Sequence, residues 1–503
     1  MQRRTYFKNA AILTGTSLLL RAAGMFFRVY IAGRIGAEGM GVYQLITTVY
    51  SMAITLATAG LSIAATRVCA DLMAAGEERR VRGAMGRVLL LSVGLGVLAS
   101  LVLWYGAPWA AELWLKDPRT AAPLRILAPS LPFMAMSASL RGYFLARRRV
   151  EPNARAQVFE QIVRISLVMV LLMRVEGVEA SCAAVVVGNT VSEAASWVMM
   201  LLFYRKDTTE LKKGPAPADL GRKLWDILAP ITANQYLTSI LRTVENVMVP
   251  GCLALYTLSR ETALSQYGAL KGMAMPVLFF PFSLLGTLST LLMPEIAETH
   301  VRGATQNLKR LTERVMTITM TLGILAGGLF TVFAYPIAEV LYHSEEIGFY
   351  LAILGPLAPL MYMESMVDGV LKGLNEQLSS FRYSVADSVV RIVLIALLLP
   401  KFGMKGFLFV MLVSNLLTSL LNLHRLLSVT GLPLRFVRWA LWPAALVGVA
   451  GFTWRYALAP IVAAWPVIAQ LLVGGVFVTA LYALLGLLTG LIRPEEWWLQ
   501  RKA

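Results

Sequence analysis

Apolar residues in this chain come in runs of about twenty separated by short polar punctuation, the length at which a helix crosses a bilayer. Read in such windows, the sequence predicts roughly fourteen spanning helices. The first six fall at 8–31, 42–65, 88–110, 121–145, 156–173 and 180–203. A polar connection over 204–223, holding Pro215 and Pro217, then reads as a linker between two bundles. A second set follows at 224–249, 266–293, 315–341, 348–371, 379–399 and 406–426, and two further runs at 437–459 and 466–491 close the chain. The expected architecture is an all-α integral membrane fold with an N-lobe over 1–223, a C-lobe over 224–432, and a closing pair with a charged tail over 433–503. Trp497 and Trp498 of that tail suit an interfacial belt.

The first run breaks its own pattern, because Arg21 and Arg28 stand inside it. An arginine at the bilayer centre costs roughly 2.5–3.5 kcal/mol unless it faces protein or water. Helical geometry puts the two on one face, with Gly24 between them leaving that face open. A basic stripe of this kind is expected to line a cavity. Arg242 and Lys271 join the set from the seventh and eighth runs. Guanidinium groups fork onto phosphate oxygens, so the four residues are candidates for holding a phosphate or pyrophosphate. The competing explanations are snorkelling to an interface, or pairing of Arg242 with the nearby Glu245.

The acidic residues inside runs bring in a second pattern. Slid against itself, the chain matches 142–172 with 369–399 at one constant offset: Gly142 meets Gly369, Arg155 meets Arg382, Glu160 meets Asp387 and Arg164 meets Arg391. An even number of spans separates the two segments, so the halves run in the same direction and are related by an axis along the membrane normal. A fainter echo pairs Leu20 and Arg21 with Leu241 and Arg242. Glu160 with Arg164, and Asp387 with Arg391, are i, i+4 pairs and read first as duplicated structural ion pairs. A sharper reading makes Glu245, Asp387, Asn415 and Thr418 a coupling site for a cation or proton. Glu364 with Asp368, and Asn189 with Glu193, are candidates of lower rank.

Composition narrows the function. With 57% hydrophobic and 15% charged residues, the chain is not an ordinary soluble domain. Its net charge of +17 does not call for nucleic acid, because the basic residues gather in alternate loops. Arg79, Arg80, Arg82 and Arg87, then Arg147 to Arg149, then Arg205, Lys206, Lys212 and Lys213, then Lys309 and Arg310 mark one side. By the positive-inside tendency that side is cytoplasmic and both termini lie there. Cys69, Cys182 and Cys252 are as scattered as His300, His343 and His424, which argues against disulfides and metal sites. No phosphate-cradling loop for a nucleotide and no metalloprotease motif occurs. Work must come from a gradient, with Na+ or H+ as coupling ion, from the membrane potential, or from substrate supply; no other cofactor is expected.

Leu20-Arg21-Ala22-Ala23-Gly24 with Arg28, the Gly36-Ala37-Glu38-Gly39-Met40-Gly41-Val42-Tyr43 turn, Arg141-Gly142-Tyr143 and Glu160-Gln161-Ile162-Val163-Arg164 resemble the polysaccharide-transporter branch of the multidrug/oligosaccharidyl-lipid/polysaccharide flippase superfamily. Within it they resemble the stage V sporulation protein B group. Tyr267-Gly268-Ala269-Leu270-Lys271-Gly272-Met273-Ala274, Leu288-Ser289-Thr290 with Pro294-Glu295, and Gly369-Val370-Leu371-Lys372-Gly373-Leu374 extend the likeness over nearly the full length. The resemblance implies two six-helix lobes plus two helices, moving a lipid-linked sugar across the cytoplasmic membrane by alternating access. The chain is also similar to the lipid II flippase family, which implies pyrophosphate-binding roles for Arg21 and Arg28 and a sodium site near Glu245, Asp387 and Thr418. It further implies that the closing spans shelter a polyprenyl tail. The expected function is therefore a flippase for an undecaprenyl-pyrophosphate-linked glycan, a peptidoglycan, spore-cortex or polysaccharide precursor. Its expected partners are that lipid-linked oligosaccharide, membrane lipids and glycan-synthesis machinery. A cation-coupled multidrug exporter of the same fold and a membrane glycan polymerase or ligase are the alternatives.

Overall fold

The computed structural model describes residues 2–209, 214–282, 285 and 295–492, with side chains from residue 15 onward. Lys212, Lys213, Leu288, Ser289, Thr290, Pro294, Trp497, Trp498 and the end of the eighth run lie outside the described residues. Among the described residues there is no strand, and the architecture is the expected all-α membrane fold. It divides into two compact units, Met1–Gly268 and Ala269–Ala503.

In the first unit, α1 (Gln2–Thr58) carries the first apolar run and most of the second in one element, interrupted at Gly36. The φ of 71° and ψ of −178° there suit only a residue without a Cβ, so the expected turn is reduced to one residue and helix resumes at once. After α2 (Leu61–Ala74) and α3 (Glu78–Trp109), the fourth run is split at Pro129 into α4 (Ala121–Leu127) and α5 (Ser130–Ala146). Then come α6 (Glu151–Leu172) and α7 (Val178–Thr208). Their shared core mixes small, aliphatic and aromatic residues: Ala64, Val68, Cys69, Met85, Leu140, Tyr143 and Phe144 are all buried. At one end, Tyr143 Oη donates to Asp207 at 2.6 Å and Arg147 pairs with the same carboxylate at 3.0 Å, fastening α5 to the end of α7.

Two more helices belong to this unit, α8 (Leu220–Thr257) and α9 (Arg260–Tyr267). The expected lobe boundary at 223 follows the polar connection read as a linker, whereas the compact unit follows packing, which runs on past it. Gly41 of α1 lies so close to α9 that a Cβ would sit 2.1 Å from the Leu264 carbonyl oxygen, and one on Gly268 would sit 1.9 Å from that of Ala37. Only glycine permits this crossing. The segment before α8 also docks, with Arg87 donating to the Pro217 carbonyl at 3.1 Å.

In the second unit, α10 (Met275–Phe279) precedes α11 (Thr305–Val332), α12 (Ala334–Tyr342), α13 (Glu345–Leu354), α14 (Ala358–Gly373) and the long α15 (Gln377–Thr430). Gly403, at φ 58°, breaks α15 as Gly36 breaks α1. The closing helices α16 (Trp442–Thr453) and α17 (Val467–Leu488) join the same unit: Tyr482 Oη of α17 donates to the Thr321 carbonyl of α11 at 3.0 Å.

The backbone repeats along with the sequence. Residues in the left-handed region recur at the offset that aligns Glu160 with Asp387: Gly76 with Gly303, Lys116 with His343, and Arg148 with Asn375. Gly96 packs on Pro132 and Gly323 on Pro359 at that offset too. Past the fifth run the offset shortens by one, and Gly177 then answers Gly403. Turns and helix crossings are thus duplicated at positions where most side chains have diverged.

Candidate functional site

Between α1 and α8 lies a cavity of about 420 Å³. One wall is Gln44, Thr47, Thr48, Ser51 and Thr55; the other is Gln235, Thr238, Ser239, Arg242, Thr243 and Asn246. Both sets follow helical spacing, so each helix turns a polar stripe inward. Most of the hydroxyl protons are spent on the helices themselves. Thr47, Thr48, Ser51 and Thr55 donate to the carbonyls one turn back at 2.9, 2.7, 2.6 and 2.9 Å, and Thr238 and Thr243 do so at 2.9 and 2.8 Å. Their free lone pairs are left as acceptors, the three amide side chains offer both donors and acceptors, and, among the described residues, Arg242 supplies the single charge in the lining. This chemistry suits a ligand rich in hydroxyl donors that also carries an anionic group.

The cavity is held at both ends within the unit. Tyr236 Oη donates to the Leu56 carbonyl at 3.1 Å, and Thr232 Oγ1 to that of Ala59 at 3.4 Å. At the α9 end, fully buried Tyr267 meets Thr48 and lies within electrostatic reach of Glu245. Beyond it, Arg260 donates to the Leu115 carbonyl, and Arg119 bridges Glu38 and Asp117 at 2.7 and 2.9 Å.

The predicted residues distribute as follows. Arg242 lines the cavity and, among the described residues, pairs with no carboxylate, although Glu245 is close in sequence; Glu245 itself is buried. Arg21 is exposed and Arg28 half-buried, and neither is in the cavity wall. Their face of α1 is turned to α6, since a Cβ on Gly24 would lie 3.9 Å from Gln161 Nε2. In the second unit Lys271 stands 5.7 Å from the centre of the Phe407 ring.

Both expected ion pairs are in contact. Arg164 Nη2 lies 2.5 Å from Glu160 and 3.4 Å from Glu193, and its Nε donates to Ser192 at 3.3 Å. Asp387 accepts from Arg391 and, at 2.6 Å, from Ser414 Oγ. Asn415 and Thr418 direct their donors to the carbonyls of Met411 and Ser414 on their own helix, at 2.7 and 2.8 Å. Asp368 is bound by Lys372 at 2.6 Å and by Ser380. No group of three or more His, Cys, Asp or Glu side chains able to hold a metal occurs among the described residues.

Sequence reasoning missed the polar stripes of α1 and α8. Ser and Thr barely lower the hydropathy of a twenty-residue window, so a search for charges passes over them. Their recurrence at Thr47, Thr48, Ser51 and Thr55, one helical turn apart, was the available signal.

Residues 6–300 match the family described as polysaccharide biosynthesis protein. The chain belongs to that family. It is 28% identical over 466 residues to the stage V sporulation protein B of Bacillus subtilis (strain 168), spanning 90% of this chain and 89% of the relative. With the lipid II flippase MurJ of the same organism it shares 22% identity, over 77% of this chain and 75% of that one. Among solved structures, the lipid II flippase MurJ in an inward closed conformation superposes with a TM-score of 0.71 at 14% identity, over 96% of this chain and all of the other. An inward-facing multidrug resistance MATE family transporter of the MOP superfamily gives 0.66 at 12% identity, over 84% and 98%. The chain is a multi-pass membrane protein with the fold of these transporters, and its relatives of stated activity are flippases and transporters rather than enzymes.

Proposed function

We propose that this protein carries an undecaprenyl-pyrophosphate-linked glycan across the cytoplasmic membrane by alternating access, as a peptidoglycan-like or polysaccharide precursor, with a place in spore cortex formation. The observation that carries the reading is the cavity between α1 and α8: hydroxyl and amide side chains with one arginine, gathered on the facing sides of two spanning helices. An arginine and amide side chains in spanning helices are costly unless they face protein or a watery space, so Arg242, Gln44, Gln235 and Asn246 on one lining imply something polar passing. Sugar hydroxyls would meet the Thr, Ser and Gln acceptors while a phosphate oxygen meets Arg242. The sporulation and lipid II flippase relatives support the cargo class. A cation exporter fits less well, because among the described residues the lining holds Arg242 and no carboxylate. Both termini are assigned to the cytoplasm on the distribution of basic loops, and Na+ or H+ is the candidate driving ion.

The test is translocation by the purified full chain in liposomes. A fluorescent undecaprenyl-pyrophosphate saccharide should become accessible to an external quencher faster than in protein-free vesicles. Equal rates with and without the protein would reject the reading.

A further inference from the structure

In the first unit two carboxylates converge on one arginine. Glu160 and Arg164 come from α6 and Glu193 from α7, and a single nitrogen, Arg164 Nη2, serves both acids at 2.5 and 3.4 Å. Glu193 is buried, and its carboxyl lies within hydrogen-bonding reach of that of Glu160. The groups facing this cluster are few. From α5, Arg141 acts on Glu193 through space; from α1 come Tyr50, within electrostatic reach of Glu193 and Arg164, and Tyr43, whose hydroxyl accepts from Asn189 at 3.4 Å. Arg28 is on the face of α1 turned to α6. The guanidinium that touches the acids therefore compensates one negative charge, while two are offered to it. Two adjacent carboxylates away from water do not both ionise readily, and a proton shared between them removes the repulsion and supplies the missing donor.

The duplication offers a comparison. Counting at the shortened offset that aligns Gly177 with Gly403 and Asn189 with Asn415, the position of Glu193 is taken in the second unit by Ser419, which donates to the Leu360 carbonyl at 3.2 Å. The counterpart of Glu160, Asp387, is met by donors from Arg391 and Ser414.

The geometry points to Glu160 and Glu193 as a carboxyl pair that holds one exchangeable proton between them and gives it up once per transport cycle. The proton resides on one carboxyl oxygen and is donated to the other carboxylate; its release to water leaves both ionised against Arg164. The cluster is not sealed, since the Arg164 side chain retains 24% exposure. It also touches the helix that forms the cavity. Tyr50 lies within electrostatic reach of Glu193, Tyr43 accepts from Asn189 one turn before it, and their neighbours Gln44, Thr47 and Ser51 line the cavity wall. A change of charge at the pair thus acts on the element that holds cargo. That the proton drives cargo rests on the flippase reading; that two carboxyls share it does not.

The test uses the full chain in liposomes, with infrared difference spectra recorded across a pH titration. The wild type should show a protonated-carboxyl stretching band that disappears as pH rises. Glu193→Gln and Glu160→Gln should each lack it, because either leaves one carboxylate facing Arg164. Asp387→Asn should keep it. Both glutamine variants keep the volume and hydrogen-bonding capacity of the site, and far-ultraviolet circular dichroism checks that they fold. In parallel, wild-type translocation of the pyrophosphate-linked saccharide should change at least several-fold on reversing an imposed pH gradient, and Glu193→Gln should show no such dependence. A band that survives in both glutamine variants overturns the shared proton. Wild-type translocation indifferent to the gradient overturns the coupling and leaves the flippase reading standing. The expected band without any translocation supports the shared proton and removes the flippase reading instead.

Discussion

At the scale of single residues, charge inside an apolar run was the most legible signal and hydroxyl content the least. Arg242 stands out in the sequence because an arginine at that depth needs a reason, and the structure puts it in a cavity wall. Thr47, Ser51 and Thr238 in the same wall carry no such flag, since each satisfies its own helix and costs little in lipid. Arg21 and Arg28 were equally conspicuous, yet their face of α1 turns toward α6, a placement that depends on helix rotation and not on composition. A charge-assisted hydrogen bond to an anion contributes about 1.5–3 kcal/mol. Arg242→Ala is therefore expected to weaken binding of an undecaprenyl-pyrophosphate saccharide by roughly ten- to a hundred-fold in a titration with the solubilised protein. Arg242→Lys should recover part of the loss, having the charge without the fork.

At the scale of elements, the apolar runs located the helices, and glycine and proline decided how they join. The second and fourth runs are divided at Gly60 and Pro129, breaks that hydropathy windows average away. The repeat was readable because Glu160, Arg164, Asp387 and Arg391 are charges in apolar surroundings; the turns that repeat with it, at Arg148 and Asn375, share no side-chain chemistry. The second of these turns is fastened by Glu376, which accepts from Ser379 at 2.7 Å and pairs with Arg425 of α15 at 2.7 Å. The Ser379 hydroxyl, then the Arg425 guanidinium, hold this carboxyl below the usual glutamate range. A depressed acid stabilises the fold above its unfolded value and loses that contribution as pH falls through its folded one. Thermal unfolding in detergent should thus find Glu376→Gln less stable than the wild type at neutral pH, with the difference shrinking in acid. A gap that widens in acid would contradict the assignment.

At the scale of the whole molecule, duplication and packing divide the chain differently. The repeat begins its second copy near α8, whose Arg242 echoes Arg21, whereas α9 packs on α1 through glycines at Gly41 and Gly268 and α8 is tied to its end by Tyr236 and Thr232. That arrangement creates the α1–α8 cavity, so the site was not visible in either half of the sequence alone. The central claim is that cargo occupies this cavity while it crosses. Labelling of a cysteine placed there tests it most directly: Thr238→Cys with Cys252→Ala, since Cys69 and Cys182 are buried, reacted with a water-soluble maleimide in liposomes. Undecaprenyl-pyrophosphate saccharide should slow that reaction several-fold, while a cysteine at exposed Thr489 reacts at an unchanged rate. Equal labelling of Thr238→Cys with and without saccharide, in vesicles that translocate it, would mean the cargo takes another route.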